Sequence, residues 1–377
     1  MTPQPAVAMY VHVPFCRGKC RYCAFVSEPV TPARAETVVA ALIHEACQRA
    51  QPDTVETLYI GGGCPTVLPE TDLLRFVTVL AESHPHVTEF TVEAHPAQVS
   101  GPLLRRLREA GVNRLSIGAQ SFVPGELQRL GRAHTTADVA HSVYAACRAG
   151  FGNLSLDLIA AVPGSTLGDF EHSLRCAIDL APRHVSVYAL SYEAGTELTR
   201  QRDAGLIEPV DEETDRAMTF AAIEILAAAG FEQYEISNFA RPGFECRHNL
   251  TYWANRPWLG IGPSAASWDG VRRTTNVADV EEYLRRIAAD QEPWNEVVSP
   301  DPIEIACETA VLNLRRRGGI DLAEYQRATG FDAMELFAEA IAEHVQAGFL
   351  ACRDGRVVLT TAAVPVADRI LCDFAAL

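Results

Sequence analysis

Three cysteines, Cys16, Cys20 and Cys23, stand at intervals of four and three residues directly after a short β-rich run, Met9–Val13. No other feature narrows the fold as much. A loop carrying three thiolates at these spacings can wrap one face of a cubane cluster and leave one iron open to an outside ligand. A structural zinc site would need a fourth Cys or His nearby. His12 is close in sequence but belongs to the strand rather than the loop. Zinc, or three unrelated cysteines, stay open as alternatives from the residues alone. Arg17 and Lys19 on the loop are expected to favour the thiolate forms. The chain has 11 cysteines. The odd count, and an N-terminus that does not read as an export signal, argue against a disulfide framework. Cys147 and Cys176, isolated in apolar helical patterns, read as small buried hydrophobes.

Strand and helix patterns alternate from Met9 to about Leu190. The β-rich runs are Met9–Val13, Thr57–Ile60, Glu89–Glu93, Arg114–Ile117, Leu154–Ile159 and Val185–Leu190. Amphipathic stretches separate them; in Leu167–Leu180, Phe170, Leu174, Ala177 and Ile178 share one helical face. Such alternation predicts a parallel sheet with right-handed crossovers. The expected fold is α/β, an incomplete (β/α)6 barrel over residues 1–191. An irregular extension over 192–300 is expected to cover the substrate. A winged-helix-like domain of helices and a hairpin, over 301–377, reads as a docking lid. Ligands of such sheets gather at the carboxyl ends of the strands. Gly61–Cys64, Glu93 and Gln120 fall there.

The formal net charge of −16 and the scattered Lys and Arg weigh against a nucleic-acid partner. No run of about 18 apolar residues suggests a membrane span. The expectation is a cytoplasmic protein acting with a small-molecule substrate.

The motif Cys-x3-Cys-x2-Cys after Tyr-Val-His-Val-Pro-Phe resembles the radical S-adenosylmethionine (SAM) superfamily. More narrowly, the chain resembles the branch holding the oxygen-independent coproporphyrinogen oxidases, HemW and the class C radical SAM methyltransferases. Further motifs carry the resemblance along nearly the whole chain. They include Gly61-Gly62-Gly63-Cys64-Pro65-Thr66, the stretch from Gly111 to Phe122, Leu130-Gly131-Arg132, Leu156-Asp157-Leu158, Tyr234–Phe239 and Cys246–Trp253. The resemblance implies a [4Fe–4S] cluster on Cys16, Cys20 and Cys23, one or two molecules of SAM, and a reductant such as flavodoxin or ferredoxin. It implies that the reduced cluster cleaves SAM to a 5′-deoxyadenosyl radical. It places Gly62 and Gly63 at the ends of SAM, Glu93 as a SAM-binding carboxylate, and Arg132 on the SAM carboxylate. Gln120 and Asp157 match further SAM contacts, and Tyr10 matches a tyrosine packed near cluster and SAM. Cys64, Phe25 and Ser191 are SAM-side positions by their place in the motifs.

The chain departs from HemW-like relatives at Cys64, where Thr is usual, at His95, where Asn is usual, and at Gly262–Ser267, which has no histidine. Coproporphyrinogen oxidases carry a further Cys where this chain has Phe25. These departures, with the aromatic loop Tyr252–Trp258, lead to the expectation of an enzyme: a class C-type methyltransferase acting on an sp2 carbon of an aromatic substrate. The alternative is a HemW-like haem chaperone, with haem handled at His248 and Asn249. A buried, hydrogen-bonded His248 is the plainer reading of that motif.

Overall fold

The computed structural model describes residues 6–51 and 53–375. One sheet of 12 strands organises the chain up to Val298. Six strands follow the sequence pattern: β1 (Ala8–Val13), β2 (Thr57–Gly62), β3 (Glu89–Ala94), β4 (Arg114–Gln120), β5 (Asn153–Ala160) and β6 (His184–Ala189). All five pairings between them are parallel. The sheet then continues through the stretch read as irregular. Strand β9 (Trp258–Ile261) pairs parallel with β1, and β10 (Ala266–Trp268), β11 (Arg273–Asn276) and β12 (Trp294–Val298) add antiparallel beyond it. At the other edge, β8 (Asn238–Ala240) pairs antiparallel with β6, and β7 (Glu232–Glu235) with β8.

The period-2 alternation of these strands divides two environments. Met9, Val11, Leu58, Ile60, Phe90, Val92, Leu115 and Leu156 face the helices and form the main apolar core. Their neighbours Tyr10, Tyr59, Thr91, Glu93, Arg114, Ser116, Ser155, Asp157 and Ser186 are polar and face inward, where Tyr59 bonds Glu93 and Ser116 bonds Asp157 across strands and Ser155 bonds Asp157 along its own. Helix Pro32–Arg49 starts on the Thr31 cap, and Leu167–Asp179 starts on a Thr166/Asp169 capping box. Each of these helices buries one apolar stripe on the sheet. Cys147 is exposed and Cys176 only half-buried, so neither is the core residue expected. Cys147 lies on a helix face turned from the sheet, whereas Cys176 packs at the margin of the main core.

Residues from Pro302 onward have a core of their own, around Tyr325, Phe337 and Phe374. This part docks on the helix Arg247–Trp253: Thr309 accepts from Asn255 (2.9 Å), and the Trp253 carbonyl accepts from Asn313 (3.0 Å). That helix lies under the first residues of β2 and β3, where its backbone and side chains bond Thr57 and Glu89. The C-terminal part therefore docks at the amino end of the barrel.

Candidate cluster and SAM site

The cysteine loop leaves β1 and is held by a minimal sheet, Phe15–Cys16 against Glu28–Pro29. His12 ties strand to loop: its Nε2 donates to the Val26 carbonyl (2.8 Å), and its Nδ1 lies 3.2 Å from the Tyr10 hydroxyl. Lys19 reaches back to the Phe25 carbonyl (2.8 Å). Cys16, Cys20 and Cys23 are all half-buried. Burial pushes the Cys16 thiol up to about 11 and also raises that of Cys23, where Lys19 and Arg132 oppose the shift. At these two thiols desolvation outweighs the loop's positive charges, contrary to the expectation from Arg17 and Lys19. Among the described residues no three Cys, His, Asp or Glu side chains converge as ligands of a single ion. A cubane takes each thiolate on a different iron, so its three ligands need not converge on one point.

The glycine run after β2 is dictated by contact. A Cβ on Gly61 would sit 2.7 Å from the Glu93 carboxyl carbon, and one on Gly62 would sit 2.3 Å from His12 Nδ1. Gly62 also has φ +99°, where side chains are strained. Its N–H donates to Glu93 (3.2 Å), and the Gly63 N–H donates to the Val13 carbonyl (2.9 Å). Glu93, ending β3, accepts a second bond from Tyr59 (2.9 Å). Burial, and then the nearby Asp157, push its carboxyl up to about 7.

Gln120 and Arg132 meet above Gly118. The ladder between β4 and β5 shifts register between Ile117 and Gln120, and Gln120 has φ +64°. This bulge turns the Gln120 amide back over Gly118, whose missing Cβ would meet it at 2.8 Å. Arg132 donates from Nη2 to the Gly118 carbonyl (2.8 Å) and from Nη1 to Cys20 Sγ (3.5 Å). Its Nε is buried and without a hydrogen-bond partner among the described residues. Asp157 is held by Ser116 (3.0 Å) and Ser155 (3.1 Å); burial raises its carboxyl against the pull of Ser186 and Arg114.

Cys64 lies beside this cradle with its Sγ 3.2 Å from Thr66 Oγ1 and 3.1 Å from Gln98 Oε1. Phe25 is 62% exposed on the loop, and Ser191 is exposed beyond β6. Tyr59, His12 and the serines around Asp157 were missed in the sequence. Alternation of polar residues along each strand was the available signal. The cradle suits the groups that the motif implies. Three thiols share one loop, backbone approaches closely at Gly61–Gly63, a carboxylate stands ready at Glu93, and a buried guanidinium keeps a free N–H at Arg132.

His248 lies elsewhere. It is buried at the amino end of the barrel, with Nδ1 on Thr57 (2.9 Å), Nε2 on the Tyr252 hydroxyl (2.8 Å) and its N–H on Glu89 (3.0 Å). Burial lowers its imidazole to about 3, so it is neutral, and both ring nitrogens are engaged. Tyr252 and Trp258 pack edge to face beside it. The aromatic loop thus lies at the amino end of the barrel, and His248 links it to the inward-facing Tyr59, ring centroids 5.1 Å apart.

Residues 10–177 match the Radical SAM superfamily model, and residues 301–366 match the HemN C-terminal domain. The chain is 35% identical to the heme chaperone HemW of Bacillus subtilis over 93% of its length and 94% of that protein. It is 33% identical to the heme chaperone HemW of Mycobacterium tuberculosis over 98% and 96% of the two chains. Coproporphyrinogen III oxidase (HemN) of Escherichia coli superposes with a TM-score of 0.85 at 21% identity, covering 100% of this chain and 91% of that one, which shows a shared fold. These relatives overturn the expectation of a methyltransferase, and of an enzyme in that sense: both HemW relatives are named as chaperones, and the fold alone does not show methyl transfer. Of the departures that prompted it, Cys64 and His95 are each held in a local hydrogen bond, to Gln98 and from the Ala97 N–H. With full-length identity above 30% to HemW proteins, the chain belongs to the HemW family of radical SAM proteins.

Proposed function

We propose that this chain is a haem carrier, which binds haem as cargo and hands it to acceptor proteins. The observation that carries the reading is the similarity to curated HemW proteins along almost the whole of both chains. Cys16, Cys20 and Cys23 would hold a [4Fe–4S] cluster, and Gly62, Gly63, Glu93, Gln120, Arg132 and Asp157 would hold SAM. Together the two groups supply one-electron cleavage of SAM when a reductant of the flavodoxin or ferredoxin class is present. In this reading Glu93 accepts the SAM ammonium and Arg132 pairs with its carboxylate. His12 and Tyr10 fix the loop against β1, and Tyr59 orients Glu93. Among the described residues no helix is long and apolar enough to cross a membrane.

The test is anaerobic titration of the cluster-loaded protein with haem, followed by transfer to an apo-haemoprotein. Stoichiometric binding and transfer faster than free haem achieves are expected. Failure to bind haem in any cluster or SAM state would overturn the reading.

A further inference from the structure

If the protein carries haem, His248 is poorly placed to receive it, since it is buried with both nitrogens bonded. A site of suitable chemistry lies at the other end of the barrel. A cavity of about 770 Å³ opens beside the cysteine loop, between Arg21, Arg129, Leu167, Leu198, Ile207 and Val210. That volume falls within the range of about 300–1,000 Å³ usual for small-molecule sites. The loop itself builds one wall. Arg21 lies between Cys20 and Cys23; its N–H donates to the Leu130 carbonyl (3.0 Å), and its carbonyl accepts from Leu198 (2.8 Å).

Haem has two apolar faces and one edge carrying two carboxylates. A matching site offers cations on one side and aliphatic walls on the other. Arg129 is exposed and makes no ion pair among the described residues, and Arg21 spends one contact on Glu197 (Nε to Oε1, 3.2 Å). Two acids share the lining: Asp211 is engaged as the cap of helix Glu212–Ala228, accepting from the Thr214 N–H at 2.9 Å, and Glu208 is exposed. We propose that this cavity receives haem, its propionates on Arg21 and Arg129 and its macrocycle against the half-buried Ile207 and Val210. The inference rests on the haem-carrier reading. Arginine forks suit carboxylates in two-bond contacts. The lining holds no His, Cys, Met or Tyr. Recognition therefore comes from the propionates and the apolar faces, which leaves the iron's axial positions to the acceptor.

The experiment titrates the full cluster-loaded chain with ferric haem and with haem dimethyl ester, which lacks the propionate charges. Arg129→Glu should weaken haem binding about tenfold, the scale of one hydrogen-bonded charge contact. The ester should bind the unaltered protein more weakly than haem, with no further loss in Arg129→Glu. Ile207→Asp should weaken both ligands. Arg285→Glu, in a separate cavity of about 630 Å³, should change neither. Unchanged cluster content and circular dichroism show that the variants fold. Haem binding by the unaltered chain that survives both Arg129→Glu and Ile207→Asp overturns this site and leaves the carrier reading standing. Equal affinity for haem and ester overturns the propionate contacts. Absence of haem binding in the unaltered chain overturns both.

Discussion

The Tyr59 hydroxyl donates a 2.9 Å hydrogen bond to Glu93 Oε1, joining the middle of β2 to the end of β3 inside the barrel. Without it, burial and Asp157 would raise the Glu93 carboxyl further than about 7. SAM binding through the ionised carboxylate should therefore strengthen as pH rises through about 7. Stability runs the other way. Between the ordinary value of 4.5 and about 7 the folded chain holds a proton that the unfolded chain has released, so this group's stabilisation declines as pH rises across that window. Tyr59→Phe should move the midpoint of SAM affinity to higher pH. Calorimetric titration between about pH 5.5 and 8.5 reads both effects; a flat profile would remove Glu93 from the SAM site.

Cluster loading should release protons and weaken at low pH, because burial holds Cys16 and Cys23 as thiols before metal binds. Alanine at Cys16, Cys20 or Cys23 should abolish the four-iron cluster after anaerobic reconstitution. Cys47→Ala and Cys352→Ala, both on exposed positions, should keep it. Cys64→Thr should keep it too, since a hydroxyl can replace the thiol toward Thr66 and Gln98. Iron and sulfide analysis decides each case.

Gly62→Ala should be among the most damaging single-methyl additions in the chain. Its φ of +99° adds roughly 1–3 kcal/mol of strain, and the new Cβ meets the His12 ring that anchors the cysteine loop. Both cluster retention and SAM affinity should fall. Retention of both at wild-type levels would mean that the cradle is built differently.

His248→Ala should act through stability. It leaves the Thr57 and Tyr252 hydroxyls without their buried partner, which predicts a loss of roughly 2–5 kcal/mol in urea unfolding. Haem affinity measured where the variant is fully folded should be unchanged. Loss of haem binding at unchanged stability would put the ligand at the amino end of the barrel.

The sequence by itself determined the local and periodic features. Cys16, Cys20 and Cys23 lie within eight residues on one loop, and strand periodicity located all six of the first parallel strands. Glu93 was legible because it ends a strand, and Asp157 because a carboxylate stood among aliphatic residues. Tertiary structure decided whatever depends on distant segments. The bulge that turns Gln120 over Gly118 leaves no mark in its own residue types. Strand β9 reads as part of an irregular stretch until it pairs with β1, 250 residues earlier at Ala8↔Trp258. The motif around His248 leaves haem handling and a buried, hydrogen-bonded role both open, and only the fold brings Thr57 and Glu89, more than 150 residues away, against it. Spacing fixes which side chains share a loop or a face. Which end of the barrel they reach, and whether burial outweighs a neighbouring charge, is settled only when the sheet closes.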